Sequence, residues 1–162
     1  MNQYVTFRLS DQLFGIEILL VREINQIMES TFVQLAPDYI VGLINLRGQI
    51  VTIFDLAVRL DMGRCQIGEE THNIILKSNA ELSAIKVREN RDDLKSSDDT
   101  LGLRVDSIGD VMEFDESKIE LPPANIGRLD NQFLSGVISL ENELLILMNA
   151  GSLLQKDMED VA

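Results

Sequence analysis

The chain repeats itself, and that constrains its fold more than any single motif. Gly42-Leu43-Ile44-Asn45-Leu46-Arg47-Gly48-Gln49-Ile50-Val51 lines up with Gly136-Val137-Ile138-Ser139-Leu140-Glu141-Asn142-Glu143-Leu144-Leu145, 94 residues on. Phe14-Gly15-Ile16-Glu17-Ile18 lines up with Leu101-Gly102-Leu103-Arg104-Val105, 87 residues on, and the spacing of Val21 and Ile24 returns at Ile108 and Val111. Tyr4–Leu9 has its counterpart in Asn73–Lys77. Each half supplies three strands, a crossing loop and a hairpin. Five or so short strands that bury one face tend to close into a small barrel. The expected fold is mainly β, with two pseudo-symmetric small five-stranded β-barrels packed together, short helical turns and a C-terminal helix. Residues 1–162 form a single domain in this reading. The first barrel covers about 14–70 and the second about 73–150, with strands free to exchange between them. Two unrelated halves alike by chance are the alternative.

Local patterns carry the strand assignments. Tyr4–Leu9 alternates polar and apolar residues, as a half-buried strand does. Ser10-Asp11-Gln12 marks a turn, and Leu13–Ile18 is the returning strand. Leu19–Met28 fits either a bulged strand or a short helix, and extended chain is favoured because no helical stripe is continuous there. Val41–Leu46 and Gln49–Phe54 are apolar arms around Arg47-Gly48, where Gly48 allows positive φ at little cost. Asp55 is placed to cap a helical turn that Gly63 ends. Residues 79–99 are crowded with charges and serines, so a mobile loop, dispensable for folding, is expected there, with Ser83–Val87 as one strand candidate. Pro122-Pro123 marks an extended crossing segment. Phe133–Met148 makes the last pair of arms, and 150–162 reads as a C-terminal helix, from Ala150 to Met158, with an acidic tail.

Composition excludes several functions. The formal net charge of −13 argues against a sequence-independent grip on nucleic acid or anionic lipid. The single cysteine, Cys65, cannot form an internal disulfide, so a reducing compartment is expected. The first residues lack a basic stretch followed by an apolar one, and no apolar run approaches a membrane span. The expected protein is cytoplasmic and not inserted in a membrane. His72, the only histidine, stands at a strand start with no nucleophile near it in sequence, so it is read as solvated rather than catalytic. Cys65 has no second cysteine or clustered histidine to complete a metal site. Asp92-Asp93 and Asp98-Asp99 lack the calcium-loop spacing, and no phosphate loop is present. No catalytic residue, cofactor or metal is expected.

The repeat is also informative where it fails. The residue matched to Arg47 is Glu141, and the residue matched to Glu23 is Asp110. One half therefore carries an acid–base pair and the other carries two acids. Glu23 and Arg47 are expected to meet across neighbouring strands of the first barrel, through two parallel hydrogen bonds.

These residues lead to a resemblance. The pattern G-x-I-N-L-R-G-x-I-V-x-I-x-D-L at Gly42–Leu56 is similar to the CheW-like adaptor proteins of bacterial chemotaxis. Val21-Arg22-Glu23-Ile24, Leu101–Asp106, Pro122-Pro123 and Gly136-Val137-Ile138 support it in the same order along the chain. The resemblance implies a non-enzymatic scaffold joining the cytoplasmic tips of methyl-accepting chemoreceptors to the regulatory domain of a CheA-type histidine kinase. It implies receptor-binding roles for Val21, Glu23, Gly42 and Arg47, with Glu23 fixing the guanidinium and Val21 and Gly42 forming an apolar floor. It leaves the kinase-binding residues unknown. Three features depart from the family pattern: Thr52 replaces a proline, Ala57 replaces an arginine so that Arg59 is the nearest cation, and the 79–99 insertion is long. The insertion and acidic balance leave open a paralogous adaptor for pilus motility or another chemosensory pathway. A small-barrel ligand-binding domain or enzyme is the reading from a different class, favoured only by a pocket with convergent titratable groups.

Overall fold

The strands form two five-stranded sheets of identical plan. The computed structural model describes residues 1–123 and 129–154. The first half contributes β1 (Asn2–Leu9), β2 (Gln12–Glu17), β3 (Val21–Gln26), β4 (Ile40–Leu46) and β5 (Gln49–Asp55). The second contributes β6 (His72–Leu76), β7 (Leu101–Val105), β8 (Ser107–Phe114), β9 (Leu134–Ser139) and β10 (Leu144–Met148). Sheet I runs β8-β1-β2-β10-β9 and sheet II runs β3-β6-β7-β5-β4. Moving every strand number by five converts one order into the other. The match extends to register: Leu147 lies opposite Gly15 in sheet I, and Ile53 lies opposite Gly102 in sheet II, both in parallel pairs.

This topology corrects the expected barrel boundaries. Neither 14–70 nor 73–150 is a structural unit, because the first two strands of each half join the last three strands of the other. Gly15 and Gly102 stand where the exchanged strands pair. A Cβ on Gly102 would stand 2.7 Å from Ile53 Cδ1 and 2.8 Å from Ile75 Cδ1, so the missing side chain lets β5 pack its isoleucine over β7.

Alternation along the strands divides the apolar residues into three groups. Tyr4, Leu13, Ile138, Leu145 and Leu147 pack on one face of sheet I, and Ile44, Leu46, Val51, Ile53 and Ile75 on the matching face of sheet II. The opposite faces, with Phe7, Phe14, Ile16, Phe54, Ile74, Leu103 and Ile146 among them, meet in one large core between the sheets. Phe7 and Phe14 stack there at 5.7 Å between ring centroids. Each sheet curls until the segment leaving its first edge strand bridges the other edge. Thr31 pairs with Leu43 in sheet II, and Glu120 pairs with Val137 in sheet I.

Helix α1 (Leu56–Arg59) begins where Asp55 accepts the Val58 N–H at 3.2 Å, as its sequence predicts. Residues 18–20 form a 3-10 turn ahead of β3, so the favoured extended reading of Leu19–Met28 holds for Val21–Gln26. The 79–99 segment overturns its reading as a loop. Helix α2 (Asn79–Glu89) occupies the first half of it and includes the strand candidate Ser83–Val87. Its start is a capping box: Ser78 Oγ accepts from Glu81 N–H, and Glu81 Oε1 accepts from Ser78 N–H at 3.1 Å. Its end is Asn90 in a left-handed conformation. Leu82, Ile85 and Leu94 are buried in the central core, so the segment is part of the fold. Three apolar anchors among so many charges give too faint a period to be read from sequence. Helix α3 (Ala150–Leu154) matches the start of the expected C-terminal helix, and the remainder lies outside the described residues.

Candidate functional site

The β4–β5 turn is built to project one side chain. Leu46 pairs with Gln49, leaving Arg47-Gly48 as a two-residue turn. Both residues have positive φ, 51° at Arg47 and 86° at Gly48, which is the type I′ geometry that matches strand twist. Sequence reasoning expects this of the glycine, whereas a left-handed arginine costs about 1 kcal/mol or more. Asn45 Oδ1 accepts the Gly48 N–H at 2.8 Å and holds the turn. The matched residues Glu141 and Asn142 take no positive φ.

Arg47 Nη2 donates to Glu23 Oε1, so the structure brings the expected pair together. The route differs from expectation. β3 and β4 are opposite edges of sheet II, and the pair meets because the sheet curls, across its seam rather than between neighbours in the ladder. The contact is also single, not a two-bond fork. Arg47's side chain is 68% exposed and Glu23's is 22% exposed. The carboxylate is therefore the fixed partner, and the other guanidinium N–H groups face outward with no partner among the described residues.

Val21 and Gly42 are placed differently from the expected floor. Val21 is half-buried against the core between the sheets. Gly42 is buried at the seam, where a Cβ would stand 2.4 Å from the Thr31 carbonyl oxygen. Its smallness serves the closing bridge. The matched Gly136 does the same beside Ile119 and Glu120. The exposed apolar residues nearest the pair in sequence are Ile24, beside Glu23, and Ile50, three residues past Arg47.

Sequence reasoning passes over a second layer next to the pair. Arg22 Nε and Nη2 donate to Glu81 of α2 at 3.2 and 2.6 Å, and Arg22 Nη1 donates to Gln49 Oε1 at 2.8 Å. Gln49 Nε2 donates onward to Thr100 Oγ1 at 2.9 Å. The Arg22 guanidinium holds the Glu81 carboxyl below its usual range, and the Ser78 N–H bond adds to this. The signal that finds these residues is the spacing Ser78-x-x-Glu81, a helix start hidden in the charge run.

The departures from the family pattern have structural roles. Ala57 is buried in the central core. Arg59 lies over the rings of Tyr39, at 4.8 Å, and Phe133, at 4.7 Å, and its Nε donates to Leu153 O at 3.0 Å, tying α1 to the sheet I side. The Thr52 N–H, which a proline would lack, donates to Thr100 O at 3.2 Å. Burial pushes the Cys65 thiol far up from its ordinary value, and its Sγ donates to Arg104 O at 3.0 Å, which leaves it inert. His72 Nδ1 lies 2.6 Å from the Glu70 carbonyl oxygen. Among the described residues, no cluster of side chains has metal-ligand geometry and no helix is long and apolar enough to cross a membrane.

Known proteins share this plan. The chemotaxis protein CheW of Rhizobium meliloti (strain 1021) is 28% identical over 99% of this chain and 92% of its own length. The CheW of Bacillus subtilis (strain 168) is 27% identical with the same coverage. The crystal structure of the scaffolding protein TtCheW from Thermoanaerobacter tengcongensis superposes with a TM-score of 0.78 at 26% identity, covering 96% of this chain and 89% of that one. A CheW-like domain matches residues 3–158, and with the two-sheet plan and the Gly42–Leu56 motif in place, the chain belongs to the CheW-like family of non-enzymatic chemotaxis scaffolds.

Proposed function

We propose that this protein couples the cytoplasmic tips of methyl-accepting chemoreceptors to the regulatory domain of a CheA-type histidine kinase, in the cytoplasm, and that Arg47 is its receptor contact. The observation that carries the reading is the exposed guanidinium held at a strained turn by a half-buried carboxylate, in one half only. A strained backbone at an exposed tip is a poor use of stability unless the side chain has a task. A chemoreceptor tip is a helical bundle, and a guanidinium with free N–H groups suits carboxylates or helix C-terminal carbonyls on its surface. Ile24 and Ile50 supply exposed apolar surface on the flanking strands, in place of the expected Val21 and Gly42 floor.

The test is binding of a soluble receptor-tip fragment to the Arg47→Lys variant. Lysine keeps the charge and loses the planar fork. The variant is expected to melt like the parent and to bind about tenfold more weakly. Binding equal to the parent's would reduce the Glu23–Arg47 pair to a seam closure.

A further inference from the structure

Helix α2 stands beside the candidate site and is bonded to it. In β3, Val21 lies opposite Leu76 and Glu23 lies opposite Ile75, so Arg22 is the extra residue of a β-bulge. Its guanidinium takes Glu81 of α2 through two N–H groups and Gln49 through a third. Gln49 is the first residue after the Arg47-Gly48 turn and closes it in register with Leu46. One side chain thus links the bulge next to Glu23, the start of α2 and the root of the turn that carries Arg47.

The other sheet gives a control. The residue matched to Arg22 is Gly109, and where α2 stands between β6 and β7, the matching strands β1 and β2 are joined by the short turn at Ser10-Asp11. Glu143, matched to Gln49, is held instead by Arg8 of β1. The brace and the Arg47–Glu23 pair therefore occur at the same sheet and are both missing from the other. Arg22 is 21% exposed and Glu81 37%, so the guanidinium is the more enclosed partner and the carboxylate is held by its bonds to Arg22 and Ser78. Resting on the receptor reading above, we propose that Glu81 and Arg22 are positioning residues for receptor docking: α2 clamps the root of the β4–β5 turn and thereby fixes where Arg47 stands. The inserted helix then acts on the partner through Arg47.

Glu81→Gln tests this, because glutamine still completes a capping box but gives up the charged, two-bonded contact with Arg22. The readouts are melting temperature and affinity for a soluble receptor-tip fragment, measured in the parent and in the Arg47→Lys background. The expected result is a melting temperature within a few degrees of the parent's and an affinity about fivefold lower, a typical scale for indirect coupling. In the Arg47→Lys background the same substitution should change affinity by less than about twofold, since the group it positions is already altered. Arg22→Lys, which leaves the α2 cap untouched, should repeat the pattern if Glu81→Gln disturbs folding. Parent-like affinity in both Glu81→Gln and Arg22→Lys overturns the proposal, as does an undiminished fivefold loss in the Arg47→Lys background. If Arg47→Lys alone leaves affinity unchanged, it is the receptor reading that fails, and the two failures are told apart by that single variant.

Discussion

At the seam of sheet II a carboxylate on β3 meets a guanidinium at the β4–β5 turn; at the matching positions of sheet I, Asp110 and Glu141 are both exposed acids. Strand order, parallel register and the closing bridge are common to the two sheets. Features needed to build each sheet are thus written twice. The left-handed arginine, its carboxylate and the α2 brace are written once, which separates them from the requirements of the sheet itself. Internal repetition in this way supplies a structural control inside a single chain.

The largest effect is expected at α2. If the inserted helix is as integral as its burial indicates, Leu82→Ala should lower stability by about 2–5 kcal/mol, read from denaturant unfolding. Val87→Ala, at a site 83% exposed on the same helix, should leave it unchanged. Equal and negligible effects would return the segment to the status of a dispensable loop.

Smaller effects are expected at the paired seam glycines. Gly42→Ala sets a Cβ 2.4 Å from the Thr31 carbonyl oxygen at a φ of 155°. Gly136→Ala sets one 2.4 Å from Ile119 Cγ2 and 3.1 Å from the Glu120 carbonyl oxygen, at a position without positive φ. Both substitutions should destabilise, by about 1–3 kcal/mol, with Gly42→Ala the worse. The reverse order would mean that the two closing bridges are not equivalent.

The smallest effect separates the two braces by pH. Glu81 beside Arg22 and Glu143 beside Arg8 both titrate below the usual 4.5. A carboxyl depressed in the folded state contributes stability above its unfolded pKa and loses it as pH falls through its folded value. The gap between the parent and Glu81→Gln, within about 1 kcal/mol for so exposed a pair, should hold from neutral pH to about 5 and close below 4.5. Glu143→Gln should respond to pH in the same direction, but without any change in receptor affinity, because its brace serves sheet I, which lacks Arg47.

Much of the fold is legible in the sequence because the repeat fixes which strands correspond. The match of Gly15 with Gly102 and of Gly42 with Gly136 marks places where two backbones or layers approach closely, and glycine shows them in both halves. Strand exchange is not legible as a boundary, since β2 pairing with β10 and β5 with β7 depend on contacts far apart in the chain. Helix α2 escapes a periodicity reading because Leu82 and Ile85 are its only buried apolar residues. At the site, charge inversion between matched positions points to Glu23 and Arg47, but not to the seam across which they meet. Val21 and Gly42 carry the family signature, yet their burial serves the core and the bridge.

The claim that the singular pair is functional and not architectural is tested most directly by exchanging its charges. The double variant Glu23→Arg, Arg47→Glu keeps an opposite-charge pair across the seam and inverts what the turn presents. Its stability should stay within about 1 kcal/mol of the parent, while binding of the receptor-tip fragment is lost. Retained binding by a stable double variant would contradict the account, because the pair would then matter only for closing the sheet.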